Sequence, residues 1–540
     1  MTVTANYLAI DIGASSGRAV LGRFDGAKLT LEEVHRFENG PVRIGDGLYW
    51  DALRLFEQIK AGLARCTQRG IKLDAVGIDT WGVDFGLFAG DELLSMPRHY
   101  RDPRNAPAME QALARVPRAE VYQHTGIQFL PFNTLFQIAA VARHTPRLLD
   151  LADRLLFMPD LFAYWLTGAM ATEPTIASTS QMLDPRTAQW SQELLKKVGL
   201  PARLLPAIEA TGSIAGTLLP HVAAEVGQSG LTVIRTASHD TAAAVAAVPA
   251  VEEREGIPAG LVARKDSRTS GDFRTSGNPK SKIQNPKCVT GGKRVAGNWA
   301  YISSGTWSLI GVELPAPLIN ADALAANFAN ELGVGGTVRF LRNVAGLWLV
   351  QESQRTWAAQ GQSYTHEQLA QMAGAAPAFT AFVDPDDARF AEPGDAPARI
   401  REFCADTGQP VPETPGAVVR CVLESLAFKY RRVLGTLERL IGRSIDVLHV
   451  VGGGSRNALL NQFTANATGK PAIAGPVEAT AAGNLMVQAL AQGRVSSPTE
   501  IRQVIAASSD LRRYEPRDTA VWTEAYRRFE AALARCGVTA

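Results

Sequence analysis

One short pattern occurs twice in this chain and limits its fold more than any other feature. The first copy is Asp11-Ile12-Gly13-Ala14-Ser15-Ser16-Gly17-Arg18, entered by an apolar run from Tyr7 and followed by Ala19-Val20-Leu21. The second is Ser303-Ser304-Gly305-Thr306-Trp307-Ser308, entered from Trp299 and followed by Leu309-Ile310. Each reads as a strand, a turn of small hydroxyl and glycine residues, and a second strand. Glycine lets backbone N–H groups come close to a ligand, and serine or threonine adds hydroxyl donors. Two such hairpins, nearly three hundred residues apart, have the chemistry to grip a polyphosphate from two sides, an arrangement that needs two lobes.

A chain of 540 residues is long enough for two or more domains, each with its own core. The division read from the sequence is an N-terminal lobe over residues 1–250, an insertion over 251–297, a C-terminal lobe over 298–500 and a helical extension over 501–540. The insertion lacks hydrophobic periodicity and carries ten Lys/Arg against five Asp/Glu, a net of +5. It reads as a long, flexible, basic segment. The rest of the chain is then at 45 minus 48, or −3, and the whole at +2. No global field points to nucleic acid or membrane. Five cysteines (66, 288, 404, 421 and 536) are scattered without a CxxC pair, which fits a reducing compartment rather than a disulfide framework or zinc site. With no signal peptide and no long apolar run, the expected location is the cytoplasm.

Strand and helix patterns alternate through both halves, so the fold class is α/β. Strands are expected at 29–37, 75–79, 233–237 and 446–451, and helices at 51–69, 105–115, 133–143, 160–167, 242–248 and 521–535. Ligands of open α/β sheets sit at the carboxyl ends of strands, which singles out Asp11, Asp79 and Asp240. In Ser238-His239-Asp240-Thr241, Asp240 reads either as a helix N-cap or as a general base for a substrate hydroxyl, and His239 as a structural histidine or a ligand. Thr80-Trp81-Gly82-Val83-Asp84 combines an aromatic, a glycine and an acid, a mixture that suits a sugar, although Trp81 equally suits a core. Gly452-Gly453-Gly454-Ser455 stands between a strand and a helix start, where free N–H groups favour a nucleotide. Neither a P-loop nor a GxGxxG fingerprint is present. Gly13-Ala14-Ser15-Ser16-Gly17 satisfies GxSxG, but a hydrolase elbow needs a helix next, and residues 19–24 read as a strand.

Taken together, these residues resemble the FGGY carbohydrate kinases. The matching stretches include residues 11–18, 77–85, 100–102, 126–134 (Gly126-Ile127-Gln128-Phe129-Leu130-Pro131-Phe132-Asn133-Thr134), 158–160, 237–241, 303–308, 346–348 and 451–455. The resemblance implies two actin-like (ribonuclease H-like) lobes of the sugar kinase/actin ATPase superfamily, with a central cleft. It implies ATP and Mg²⁺, and transfer of the γ-phosphoryl group to a ketose, with L-rhamnulose the expected substrate. Another ketose such as L-fuculose, or an actin-like ATPase without sugar kinase activity, stands as the alternative. Ala14, Ser15, Ser16, Gly17, Arg18 and Thr306 would contact phosphates, and Gln351 and Gly453 would lie on the nucleotide side. Gly82, His239, Asp240, Thr241 and Asn343 would hold the ketose, Asp240 would take the proton, and Asp11 would position Mg²⁺. No nucleic acid or membrane partner is implied. Two departures stand out: the 251–297 segment is some forty residues longer than is usual there, and Thr464 and Thr468 stand where the nearest branch often has cysteines, so no disulfide forms at that place.

Overall fold

A computed structural model describes residues 4–251 and 298–535. Nearly all of the expected insertion therefore lies outside the described residues, as do Cys288 and Cys536. Cys66, Cys404 and Cys421 are buried and free.

The first sheet is built on the first hairpin. Strand β1 (Ala5–Ile12) turns into β2 (Ser16–Phe24), and β3 (Leu29–Glu38) continues the antiparallel meander. Helix α1 (Ala52–Gln68) then carries the chain over one face, its first turn held by the Asp51 carboxylate accepting from the Arg54 N–H. The chain returns as β4 (Ala75–Thr80), parallel to β1. Strands β5 (Ile214–Thr217) and β6 (Thr232–Ile234) complete the order β5-β6-β4-β1-β2-β3. The expected strand over 233–237 ends early, at Ile234. The chain regains the sheet as a single bridge between Thr80 and His239, and helix α2 (Asp240–Ala246) starts there.

The second sheet repeats this plan. β7 (Trp299–Ser304) and β8 (Trp307–Leu314) form the second hairpin, followed by β9 (Ala329–Leu332) and β10 (Val338–Ala345). Helices α3 (Trp348–Ala359) and α4 (Pro415–Ile441) lead to β11 (Val447–Val451), parallel to β7 as β4 is to β1. After α5 (Ala458–Thr468), β12 (Ala472–Ala474) and α6 (Ala479–Ala491), an edge strand β13 (Arg512–Tyr514) closes the order β9-β10-β8-β7-β11-β12-β13. Residues 501–535 are therefore not an appended helical extension. They supply that edge strand and α7 (Thr519–Arg535), whose Trp522 and Phe529 pack on Phe428 of α4 at 5.3 and 5.5 Å between ring centres. A helix with an apolar stripe has to cover a core, and the aromatic side of α7 finds one here.

The period of two along a strand decides which face meets which neighbour. Leu8, Ile10 and Ile12 of β1 point into a core shared with Leu55, Ile59 and Leu63 of α1. Tyr7 and Ala9 point the other way, into a cluster with Leu485, Met486 and Ala489 of α6 from the second half. Asp11 belongs by parity to that second face. The two lobes thus meet through α6, and the polar ends of β1 and β4 open on the space between them. Among the described residues, no helix is long and apolar enough to cross a membrane.

Candidate active site

Register brings the three strand-end carboxylates together. Asp11 is opposite Asp79 in the parallel pair, and Thr80 N donates to Ser238 O at 2.9 Å, which places Asp240 beside them. Asp11 Oδ2 accepts from Arg18 Nε at 3.0 Å and from Nη2 at 2.9 Å. Arg18 also pairs with Glu478, next to the start of α6. In this structure Arg18 is thus an inter-lobe bridge held by two carboxylates. Asp79 is fully buried; its Oδ2 accepts from Asn484 Nδ2 at 2.6 Å and its Oδ1 has no hydrogen-bond partner. Burial first, and the neighbouring Asp11 next, push its carboxyl well above the usual range. A buried, unsatisfied carboxylate oxygen beside Asp11 fits a hard cation, which takes oxygen ligands from one or two carboxylates and fills its remaining places with phosphate and water.

Asp240 is the first residue of α2 and not its cap. His239 takes the cap position, and no side chain closes that end. The Asp240 carboxylate turns to its neighbours: Oδ1 accepts from Thr241 Oγ1 at 3.0 Å and lies 3.4 Å from His239 Nε2. Burial raises this carboxyl above its ordinary value, while His239 and then Thr241 act against the rise. A carboxylate at a helix start, partly desolvated and still open to a cavity, can take a proton.

That cavity, of about 290 Å³, lies between the lobes. Its lining includes Ala14 and Ser15 from the first turn, Thr306 from the second and Gly453 from the glycine turn. Gly82, His239, Asp240, Thr241 and Asn343 line it as well. The remaining expected residues stand behind this wall. Ser16 and Gly17 are already paired with Glu38 and Phe37 in the sheet, and a Cβ on Gly17 would meet the Phe37 ring at 2.2 Å. Gln351 accepts from Thr306 Oγ1 at 3.1 Å and so orients it. Gly454, one residue past Gly453, sits so close to the second hairpin that a Cβ there would be 2.0 Å from Ser304 Oγ. This contact brings the glycine turn and the hairpin to a common edge.

Over the part of the cavity lined by Gly82, the site is built by residues that sequence reasoning left unassigned. Gln128 Oε1 accepts from Asn343 N at 2.8 Å and from Asn343 Nδ2 at 3.1 Å, clamping that side chain from the opposite lobe. Val83 adopts a left-handed backbone (φ 71°), rare for a β-branched residue. It is held by Thr179 Oγ1 accepting from its N–H and Thr134 Oγ1 donating to its carbonyl. Asp84 does not face the cleft as an acid for sugar hydroxyls. It is buried beneath the site, accepting from Trp50 Nε1 (2.6 Å), Trp81 Nε1 (2.9 Å), Tyr100 N (3.1 Å) and Gln137 Nε2 (2.7 Å). Burial pushes its carboxyl up to about 7, with Gln137 and the two tryptophans pulling the other way. Tyr100, Phe132 and Trp307 form an aromatic wall with ring centres 5.4 and 5.8 Å apart. A second chamber of about 470 Å³ shares that wall and opens beside Trp348 and Arg101. Most of these residues lie within the matching stretches 77–85, 100–102, 126–134, 303–308 and 346–348, but Trp50, Gln137 and Thr179 carry no motif of their own.

Known proteins resemble this chain over nearly its whole length. Residues 6–247 match the N-terminal domain, and residues 300–492 the C-terminal domain, of the FGGY family of carbohydrate kinases. A rhamnulokinase of Bacteroides thetaiotaomicron is 43% identical over 526 residues, covering 97% of this chain and 99% of that protein. A rhamnulokinase of Enterococcus faecalis is 38% identical, covering 94% and 96%. Among solved structures, a ligand-bound xylulose kinase from Lactobacillus acidophilus superposes with a TM-score of 0.74 at 16% identity, covering 98% of each chain. A Plasmodium falciparum glycerol kinase with ADP gives 0.72 at 14%, covering 99% of each, and these two likenesses concern the fold.

Proposed function

This chain belongs to the FGGY family of carbohydrate kinases, and from that premise we propose that it transfers the γ-phosphoryl group of ATP to O1 of L-rhamnulose, giving L-rhamnulose 1-phosphate and ADP in L-rhamnose catabolism. The observation that carries this reading is the convergence of both hairpin turns, the glycine turn, Asp240 and Asn343 on one inter-lobe cavity. The full-length identity to rhamnulokinases supports the choice of sugar over another ketose, and the intact sugar wall disfavours an ATPase without an acceptor. Residues 1–250 form the lobe that supplies the base, and residues 298–500 most of the nucleotide lobe, on this reading. The cytoplasm is the location it implies.

Phosphoryl transfer asks a protein mainly for positioning and charge balance. Backbone N–H groups and hydroxyls at Ala14, Ser15 and Thr306 hold the phosphates, with Gly453 giving unobstructed backbone on the nucleotide side. Asn343, locked by Gln128, and the aromatic floor at Trp81 orient the ketose. Asp240 accepts the proton of the attacking hydroxyl; its Oδ1 is engaged by Thr241 and faces His239, so the other oxygen is the one left for that proton. Mg²⁺, held by Asp11 with Asp79 beside it, would neutralise charge on the transferring group. Closure of the lobes around the cavity excludes water and limits wasteful hydrolysis of ATP. Coupled ADP release with ATP and Mg²⁺ across L-rhamnulose, L-fuculose, L-ribulose, D-xylulose and no sugar tests the reading. Preference for L-rhamnulose is expected; release that ignores the sugar, or preference for another ketose, would overturn it.

A further inference from the structure

Behind Asp240 runs a buried polar chain that the transfer described above does not use. His239 faces Asp240 with Nε2, and its Nδ1 lies 3.1 Å from Arg339 Nη2 and 3.3 Å from Glu331 Oε2. Arg339 Nη2 is in turn 2.9 Å from Glu331 Oε2. Glu331 and Arg339 are cross-strand partners on β9 and β10, so the second lobe reaches across to hold a histidine of the first. Arg339 is fully buried and Glu331 nearly so. Their chemistry restricts the ring. Nδ1 faces a guanidinium, which only donates, and a carboxylate, which only accepts. The Arg339 contact is the one with hydrogen-bond geometry, while Glu331 Oε2 has no hydrogen-bond partner among the described residues. Nδ1 therefore keeps its lone pair, and a neutral ring carries its proton on Nε2, toward Asp240. A buried arginine is costly without an anion, and Glu331 supplies it. Burial raises the Glu331 carboxyl, but Arg339 and His239 together outweigh it and hold the group below its usual range, as a carboxylate. Asp11 also faces Asp240, and Glu173 and Thr175 accept from the backbone N–H groups of Ser238 and His239.

We propose that Glu331 and Arg339 are positioning residues for phosphoryl transfer, fixing His239 as the Nε2–H tautomer so that it donates toward Asp240 and holds the carboxylate oriented for the substrate hydroxyl. The proposal rests on the kinase reading with Asp240 as base. It makes competence of the base depend on the second lobe, because two of the four groups in the chain belong to it.

The tautomer can be read without turnover. Full-length protein labelled with ¹⁵N-histidine, with the His239 signals assigned by their loss in His239→Gln, is expected to show a neutral Nε2–H ring at pH 7.5. Arg339→Gln should mix the tautomers and lower kcat by about 10–100-fold, the range for loss of a group that orients a functional histidine. KM for ATP should stay within about twofold in that variant, and Arg339→Lys, which keeps a donor, should recover part of the loss. Glu331→Gln, nearly isosteric, gives the same two readouts where Arg339→Gln fails to fold. A wild-type ring protonated on Nδ1, or on both nitrogens, overturns the proposal without any variant. A shifted tautomer with unchanged kcat overturns it as well. Wild-type protein that phosphorylates none of the ketoses would instead remove the kinase reading, while leaving the tautomer measurement intact.

Discussion

Asp240 shows how far a single residue can be read from its neighbours in sequence. Its place after a strand and before a run of small residues offered two roles, cap or base, and the backbone removes the first. His239 occupies the cap, and the Asp240 side chain is turned to His239 and Thr241 at the cavity wall. Replacing it by asparagine keeps the shape and removes the proton acceptor. Asp240→Asn should lower kcat by about 10²–10⁴-fold, with ATP affinity measured by calorimetry nearly unchanged. Because burial raises this carboxyl, the ionised form needed for catalysis is lost at a higher pH than for an exposed aspartate. The acidic limb of kcat against pH should therefore lie above the ordinary aspartate value of about 3.9, and a limb at or below it would show that another group titrates. Asp84 teaches the opposite lesson. Its neighbours Trp81 and Gly82 made it look like a sugar ligand, but four donors converge on it from Trp50, Trp81, Tyr100 and Gln137. Only one of those donors lies close to it in sequence, so no local pattern could have shown that it is a buried anchor.

At the scale of elements, the repeated strand–turn–strand was readable because apolar alternation and turn chemistry are local properties. The same holds for α1, whose expected span of 51–69 differs from the observed Ala52–Gln68 only at its ends. What the pattern did not reveal is how closely separate elements approach. Gly454 lies against Ser304, so the glycine turn after β11 and the tip of the second hairpin share one edge of the inter-lobe cavity, the edge proposed to hold the phosphates. Gly454→Ala would push these two elements apart. KM for ATP should rise by about tenfold, the equivalent of one lost hydrogen bond, with KM for the ketose changed by less than about twofold. An equal effect on both would mean that the turn supports the whole cavity and not the phosphate side alone. The edge strand β13 went unread for a related reason. Three residues flanked by turns carry no usable period, and pairing with β12 is what makes them a strand.

At the scale of the molecule, the two lobes meet through the helices α2 and α6 beside the cavity. Gly483 of α6 faces Ala243 of α2 so closely that a Cβ there would be 1.8 Å from the Ala243 carbonyl oxygen. Since α2 begins at Asp240, this contact sets where the proposed base stands relative to the second lobe. Gly483→Ala should cost about 1–3 kcal/mol in denaturant unfolding and lower kcat, because backbone cannot move aside as a side chain can. Unchanged stability and turnover would show that the lobes are less tightly fixed than this contact indicates. Asn484 and Gln488, one turn apart on the same helix, reach back to Asp79 Oδ2 and Leu8 O, so α6 closes the floor of the first lobe as well. The chain by itself determined the α/β class, the repetition of the glycine-and-hydroxyl hairpin, the three strand-end acids and the family they belong to, because each is written in local pattern and residue chemistry. Tertiary structure alone decided that Arg18 bridges the lobes, that Asp84 is an anchor, that Gln128 locks Asn343 and that Glu331 and Arg339 stand behind His239. Those roles depend on contacts between residues up to hundreds of positions apart, whose pairing is fixed by sheet register and by the packing of one lobe on the other.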